Sequence, residues 1–249
     1  MDQYFVRDYT GGAFVLFGSW HLGVIIFFIL FNLSFIWMKK ISHPMFRQRF
    51  RYGLATASII TELAWHIWSI AVGKWNVVEY LPLHLCSLFV ILNSIMLFKR
   101  SYRIYEFSYF LGIAGALQAF LTPDAGIYGL PHFRAWQTLI AHGLIFSEAI
   151  YMTIVEGFRP QWVSIKRVFI WANIYMVFVG IVNWLLGSNY MFVAHKPTTA
   201  SLLDFLGPWP FYIISLEVVG FIMCLILYLP FAISDLARKP KQQPDLSST

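Results

Sequence analysis

Long apolar runs alternate with short polar connections along almost the whole chain. A bilayer core of about 30 Å needs about 20 apolar residues in a helix, and a helix satisfies its own backbone hydrogen bonds inside lipid. The pattern therefore predicts an all-α polytopic membrane protein with seven transmembrane helices. The predicted spans cover residues 17–38, 53–73, 82–98, 105–121, 136–155, 168–187 and 211–233.

The composition favours a lipid environment over a soluble fold. Hydrophobic residues make up 59% of the 249 residues and charged residues only 12%, whereas a soluble domain carries about 25% charged residues. So little charge cannot cover a water-facing surface of this size, and the apolar surface must therefore face lipid. We predict one membrane domain over residues 1–233 and a polar, disordered cytoplasmic tail over residues 234–249.

The basic residues set the predicted orientation. Of the 18 Lys and Arg residues, 14 lie in every second connection or in the C-terminal tail, and four lie in the remaining segments. Basic loops stay in the cytoplasm, so the N-terminus is predicted outside and the C-terminus inside. The net charge of +6 then faces anionic cytoplasmic lipids. We therefore predict membrane lipids as partners and no nucleic-acid binding.

Glu62 and His66 are the most informative polar residues inside a predicted span. An ionisable side chain is costly in a bilayer and marks a candidate functional site. The two residues are four apart and share one helix face with Ser58 and Ser69, so they can form a hydrogen bond one turn apart. The second span therefore presents a polar stripe to the interior of the bundle.

Further polar residues fall in the outer half of other spans, which predicts a shared polar pocket near the extracytoplasmic side. They are His84, Cys86, Gln118, His142, Asn183 and Glu217. The alternative is structural, because polar side chains also hold membrane helices together, each contributing about 1 kcal/mol.

The connection between the sixth and seventh spans is predicted to cap the mouth of the bundle. It is too apolar for a free linker, and its prolines restrict its backbone. Lys196 is the only Lys or Arg in this connection. It would hold a phosphate headgroup or, alternatively, extend to the membrane interface as a surface lysine.

Two sequence patterns resemble the bacterial YwaF-like integral membrane proteins. The first is Leu-Pro-Leu-His-Leu-Cys at residues 81–86. The second follows Asn183 with Gly-Ser-Asn-Tyr-Met at residues 187–191, then Lys-Pro at 196–197 and Leu-Gly-Pro-Trp-Pro at 206–210. The similarity covers nearly the whole chain in order and hydropathy. It implies a fold more than an activity, and a multi-pass protein of the bacterial plasma membrane.

The chain is also distantly similar to vertebrate transmembrane acyltransferases that remodel ether phospholipids. This resemblance implies a reactive cysteine and histidine, and the matching positions are Cys86 and His142. A weaker similarity to the androgen-induced membrane hydrolases implies a threonine and a histidine, for which Thr138 is the candidate.

The leading hypothesis is a lipid-acting enzyme that catalyses acyl transfer or hydrolysis on a phospholipid. Cys86 would be the nucleophile, activated by His142 or His84 as base, and Glu62 would orient His66 as an acid or oxyanion partner. This hypothesis needs no metal or cofactor. The predicted substrate-binding residues are Gln118, Asn183, Lys196 and Glu217.

Two alternatives stay open at this point. Glu62 and the three histidines at positions 66, 84 and 142 would also suit the zinc site of a metal-dependent membrane hydrolase, although the sequence has no tight ligand motif. A transporter or small-molecule-binding membrane protein would likewise place ionisable residues at mid-depth. The sequence has no visible inverted repeat, which favours the enzyme hypothesis.

Overall fold

The computed structural model describes residues 2–41, 43–197 and 202–237, and all regular structure within these ranges is helical. The all-α prediction is confirmed for this part of the chain. Short 3₁₀ turns occur at Asp2–Tyr4, Tyr190–Phe192 and Leu202–Leu206. The long helices are α1 (Ser19–Ile41), α2 (Pro44–Ala71), α3 (Leu85–Lys99), α4 (Tyr102–Leu121), α5 (Phe133–Ile154), α6 (Trp162–Leu186) and α7 (Phe211–Ala237).

Each predicted span overlaps one of these helices, but several helices continue past the apolar run. Helix α2 begins at Pro44, well before the predicted residue 53, because His43 caps it and proline is favoured in the first turn. Helix α7 continues to Ala237, so residues 234–237 are helical and not a disordered tail. The rest of the predicted tail, residues 238–249, lies outside the described residues.

Four helices, α1, α4, α6 and α7, are long and apolar enough to cross a membrane by themselves. Helix α3 has only 15 residues, and α2 and α5 are less apolar along their lengths. The protein is therefore a multi-pass membrane protein. The count of seven spans and the orientation of the termini stay predictions.

Helix α5 forms the centre of the bundle. It packs against α1, α2, α3 and α4, and most of its residues are buried. Helices α6 and α7 pack against α4 and against each other at the periphery. Their surfaces remain largely exposed and apolar, which is the surface that lipid contact requires.

Ion pairs join the helices at the predicted cytoplasmic end. Arg51 and Arg100 both pair with Glu156, at 3.5 and 2.8 Å, and Arg167 pairs with Glu106 at 2.9 Å. These arginines neutralise carboxylates that are themselves mostly buried. Because breaking a buried pair leaves an uncompensated charge, this end of the bundle is held by structural contacts.

A second set of polar contacts lies deeper in the bundle. The Ser58 hydroxyl donates a hydrogen bond to Glu148 at 2.5 Å, which links α2 to α5. The Asn32 amide donates to the Ser147 hydroxyl at 2.8 Å, which links α1 to α5. These hydrogen bonds join neighbouring helices, although Asn32 Oδ1 and Glu148 Oε2 are buried without a partner among the described residues.

The N-terminal strap, residues 5–9, lies across the C-terminal end of α2 and the N-terminal end of α5. The backbone carbonyls of residues 5, 6 and 7 accept hydrogen bonds from Trp68 Nε1 (2.8 Å), His132 Nε2 (3.0 Å) and the Tyr128 hydroxyl (2.6 Å). His132 also caps α5, because its Nδ1 accepts the Arg134 amide at 3.0 Å. One histidine therefore joins the strap to the start of the central helix.

We expect acidification to release the strap. Burial lowers the pKa of His132 below its ordinary value of 6.5, against the opposing effect of its hydrogen bond to Val6, and the charge of Lys74 adds to the lowering. The unfolded chain therefore takes up the proton first, and the contribution of His132 to stability is lost as the pH falls below about 6.5. Protonation of Nδ1 also removes the acceptor for the Arg134 amide.

Hydrogen exchange of residues 5–9, measured at about pH 7.5 and about pH 5, checks this expectation, since histidine is the side chain that titrates in this range. The protection factor, which is the observed rate compared with the intrinsic rate at the same pH, is expected to fall at the lower pH. The His132→Asn variant keeps a capping side chain and should lose most of the pH dependence. An equal pH response in the variant and the wild type would show that another group controls the strap.

Candidate active site

Cys86 lies in the first turn of α3. The preceding His84 has an extended backbone (φ −66°, ψ 146°), and the helix begins at Leu85. His84 therefore lies outside the regular helix, so its direction relative to Cys86 is not set by helical spacing. The Cys86 thiol is free and partly buried.

Glu62 and His66 face each other one turn apart on α2, as their spacing predicts. His66 Nε2 lies 3.6 Å from Glu62 Oε1. Trp75 Nε1 donates to His66 Nδ1 at 3.0 Å, so the proton of the neutral ring resides on Nε2 and points toward the carboxylate. Glu62 Oε1 is buried and has no hydrogen-bond partner among the described residues. This oxygen is therefore available to a further polar group.

Three helices that pack against one another carry the polar side chains of the candidate site. Helices α2, α3 and α5 contact one another in pairs. Glu62 and His66 lie on α2, Cys86 lies on α3, and Arg134 and His142 lie on α5. We call these five residues, which are predicted to lie toward the extracytoplasmic side, the outer polar cluster.

His142 has the geometry of a general base. Its Nδ1 lies 2.7 Å from the backbone carbonyl of Thr138. Because a carbonyl can only accept, the proton of the neutral ring resides on Nδ1, and the lone pair of Nε2 is free to accept a proton. The Thr138 hydroxyl donates to the Arg134 carbonyl at 2.8 Å. That hydroxyl is therefore held by the backbone of its own helix.

Arg134 is not among the residues that the sequence pattern singles out. The apolar run of the fifth span starts at Trp136, so Arg134 counts there only as a loop residue for topology. In the structure α5 begins at Phe133, which places Arg134 on the same helix face as Thr138 and His142. The repeat of four residues over these three positions is the signal that could have found it.

His84 connects α3 to the connection that was predicted to cap the bundle. Its Nδ1 accepts the backbone amide of Met191 at 3.3 Å, and its ring packs on Tyr190 and Phe192, with centroid distances of 5.3 and 5.5 Å. The Tyr190 hydroxyl donates to the Val77 carbonyl at 2.8 Å. The hydrogen bond at Nδ1 and the ring contacts of His84 therefore hold the cap against the start of α3.

Asn183 organises the same cap from the end of α6. Its Oδ1 accepts hydrogen bonds from the Ser188 hydroxyl and the Tyr190 amide, both at 2.8 Å, and its Nδ2 donates to the Tyr190 carbonyl at 3.0 Å. The side chain is only 4% exposed. These contacts use its oxygen and one amide hydrogen for loop structure, so its proposed contact with substrate stays a prediction.

A cavity of about 530 Å³ lies beneath the cap, between α4, α6 and α7. It reaches Leu85, the neighbour of Cys86, and Met191 and Phe192 form part of its roof. Most of its lining is apolar, and Gln118 and Glu217 are polar exceptions. Cavities of about 300–1,000 Å³ with a few polar groups are typical ligand sites.

The four predicted substrate-binding residues thus occupy different positions relative to this cavity. Gln118 and Glu217 line it, and the Asn173 amide donates to Glu217 Oε2 at 3.2 Å. Lys196 Nζ lies 5.7 Å from the ring centre of Tyr212, a lining residue. Asn183 positions the cap residues above the cavity but does not line it.

An apolar groove of about 620 Å³ also opens between α1, α2 and α5, beside Thr61 and Trp136.

The described residues contain no group of three or more His, Cys, Asp or Glu side chains that could hold a metal ion. Glu62 and His66 lie together, but His84 is turned toward the cap and His142 is oriented by its own helix. The geometry of this part of the chain therefore gives the zinc hypothesis no support.

A family comparison adds to this geometry. The model of the TMEM164 family matches residues 16–228, which include all seven helices except the end of the last. The chain belongs to the TMEM164 family. The matched part of this TMEM164-family protein contains the whole outer polar cluster and the cavity beneath the cap. No curated protein and no solved structure matches the chain. The YwaF-like resemblance and the bacterial plasma membrane stay predictions.

Proposed function

We propose that this TMEM164-family protein is a membrane acyltransferase that moves a fatty acyl chain between phospholipids through a thioester on Cys86. One observation carries the proposal. Cys86 lies in the first turn of α3, next to Leu85, which lines an apolar cavity, and α3 packs against α5, on which His142 has the orientation of a base. A thiol, a base and an adjoining apolar chamber are the parts that covalent acyl transfer requires.

The first step forms the acyl-enzyme. Cys86 gives its proton to His142 Nε2, and its sulfur attacks the ester carbonyl carbon of a donor phospholipid. The carbon–sulfur bond forms and the carbon–oxygen bond of the ester breaks. The proton on His142 then passes to the oxygen of the departing lysophospholipid, so that the ring returns to its neutral form.

The second step transfers the chain to an acceptor. A hydroxyl group of a lysophospholipid gives its proton to His142 Nε2 and attacks the thioester carbonyl carbon. The new ester bond forms, the carbon–sulfur bond breaks, and the proton returns to the Cys86 sulfur. Water in place of the hydroxyl would give hydrolysis by the same steps, which is the outcome expected if no acceptor lipid binds.

The remaining residues position these groups. Glu62 Oε1 lies 3.6 Å from His66 Nε2, and Trp75 holds the ring from the other side. His84 secures the cap over the cavity, where the acyl chain would lie beside Gln118 and Glu217. With the N-terminus outside and seven spans, as proposed from the Lys and Arg distribution, this site faces the outer leaflet.

Capture of the thioester tests the proposal. Purified full-length protein is incubated in mixed micelles with a phospholipid that carries an alkyne-tagged acyl chain, quenched in acid and tagged with a fluorophore. A hydroxylamine-sensitive label is expected on Cys86. It should be absent from the Cys86→Ala variant and unchanged in Cys224→Ala, because Cys224 is the other cysteine and is fully buried in α7.

Two further measurements keep the test decisive. The melting temperature of each variant in the same micelles shows whether it folds, and Cys86→Ser serves as a smaller change. Undiminished labelling or lipid turnover in a folded Cys86→Ala variant contradicts the proposal. A label confined to Cys86 with release as free fatty acid alone would support the covalent step and assign hydrolysis in place of transfer.

A further inference from the structure

Arg134 differs from the paired arginines at the other end of the bundle. Arg51, Arg100, Arg159 and Arg167 each pair with a carboxylate. No Asp or Glu oxygen in the described part of the chain lies within 4.0 Å of the Arg134 guanidinium. Arg134 is nevertheless partly buried in the first turn of α5.

The contacts of Arg134 orient its guanidinium without neutralising it. The group stacks 4.0 Å from the ring centre of Trp65 and donates one hydrogen bond to Gln137 Oε1. A guanidinium has five N–H donors and stays charged in proteins. Neither the indole face nor the amide carries a negative charge, so the planar fork has donors left for an anion. Phosphate matches that fork with two parallel hydrogen bonds.

The position of Arg134 along α5 matches the order of groups in a phospholipid. Arg134 lies eight residues before His142 on the same face, or about 12 Å along the helix axis. His142 is the deeper residue and the proposed base for chemistry at the ester. In a phospholipid the phosphate lies closer to water than the esters, just as Arg134 lies closer to the end of α5 than His142 does.

We infer that Arg134 binds the phosphate of the phospholipid substrate, and that Trp65 and Gln137 hold its guanidinium in place for this contact. The inference rests on the proposed acyl transfer and names the part of the substrate that positions the ester near Cys86 and His142. It also assigns the phosphate to Arg134, whereas the sequence pattern alone assigns a headgroup to Lys196. Removal of Arg134 should therefore weaken lipid binding only where the lipid carries a phosphate.

Binding of two lipids that differ only in the phosphate tests this inference. Phosphatidic acid and diacylglycerol with identical acyl chains are titrated, in mixed micelles, into full-length wild-type, Arg134→Gln and Arg134→Lys protein. Tryptophan fluorescence reports binding, because Trp65 stacks on the guanidinium. Arg134→Gln should weaken phosphatidic acid binding about 10- to 100-fold, the effect of losing charged hydrogen bonds. Diacylglycerol binding should stay unchanged.

The controls separate the phosphate contact from other effects. Arg7→Gln removes an exposed outer arginine and should bind both lipids as the wild type does. Arg134→Lys keeps the charge but loses the fork, so intermediate binding is expected. Competition by inorganic phosphate at constant ionic strength would show that the phosphate group itself is recognised; competition by glycerol 3-phosphate alone would show that the glycerol backbone is needed as well. Either result supports a phosphate site.

Two results would overturn the inference. Folded Arg134→Gln protein that binds phosphatidic acid as tightly as the wild type shows that Arg134 makes no phosphate contact. An equal loss of both lipids shows that Arg134 only packs α5 against Trp65. The outcome is independent of the thioester test, because Cys86→Ala should lose the acyl label and still prefer phosphatidic acid over diacylglycerol.

Discussion

Replacing His142 with alanine is expected to slow acyl transfer by about 10²- to 10⁴-fold, the range for loss of a general acid–base group, while the bundle stays folded. The free lone pair of Nε2 takes the proton of each attacking group in both steps. On this face of α5, His142 is the described histidine whose Nδ1 proton is held by a backbone carbonyl. Among the described residues the ring forms a hydrogen bond only with its own helix, so its loss breaks no hydrogen bond between helices and should change stability little.

Single-turnover lipid assays with His142→Ala and His195→Ala measure this effect. His195 is an exposed histidine in the outer connection, where its Nδ1 lies near Asn189 and the Lys196 carbonyl, and its removal should leave the rate unchanged. A loss in kcat with little change in KM indicates a role in chemistry, and added imidazole should restore part of the rate. A normal kcat in His142→Ala would leave His84 as the remaining candidate base.

The helices were predictable because a membrane-spanning helix needs a continuous apolar run, and each run marks one helix. Their ends were less predictable, since a helix that leaves the bilayer no longer needs apolar residues. Helix α6 begins at Trp162, ahead of the basic pair at positions 166 and 167. Its start depends on a capping box between Gln161 and Ser164, which hydropathy does not reveal.

The candidate site likewise contains residues that helical spacing predicts and residues whose roles depend on contacts distant in the chain. Glu62 and His66 were predictable as a pair because helical spacing alone brings them together. The roles of His84 and Asn183 depend on the cap, and the contact between His84 and Met191 joins residues 107 apart in the chain. Periodicity carries no information about such contacts. The role of Arg134 was not predictable for a related reason. Its position inside α5 depends on the capping of the helix by His132, which hydropathy does not reveal.

The two ends of the bundle distribute their charges differently. At the predicted cytoplasmic end, arginines from several helices are paired with carboxylates, as in Arg167 with Glu106. In the outer polar cluster, Glu62 Oε1 has no hydrogen bond and Arg134 has no carboxylate within 4.0 Å among the residues that the structure describes. Unpaired ionisable groups cost stability in a bilayer. The cost that Glu62 and Arg134 bring to this end of the bundle is the physical reason for placing the chemistry there.

Replacing Gly143 with leucine is expected to destabilise the bundle by about 1–3 kcal/mol or more, the usual cost of overpacking a core. A Cβ at position 143 would overlap the ring of Phe28 on α1. That ring is 4% exposed and packs against Phe120 and Phe146, with centroid distances of 5.3 and 5.8 Å, so moving it aside would break these contacts. Gly143 therefore permits the close approach of α1 to the central helix.

Gly180→Leu is the matched control, because the same substitution in α6 meets nothing within 4 Å and should gain helix propensity. Melting in detergent, followed by the reactivity of the buried Cys224 thiol toward a maleimide, compares the two variants. The Gly143→Leu variant should expose Cys224 at a lower temperature, and adding Phe28→Ala should recover part of the loss by making room. Equal melting of Gly143→Leu and Gly180→Leu would mean that α1 tolerates displacement, and that the α1–α5 contact does not fix the position of the helix that carries Arg134 and His142.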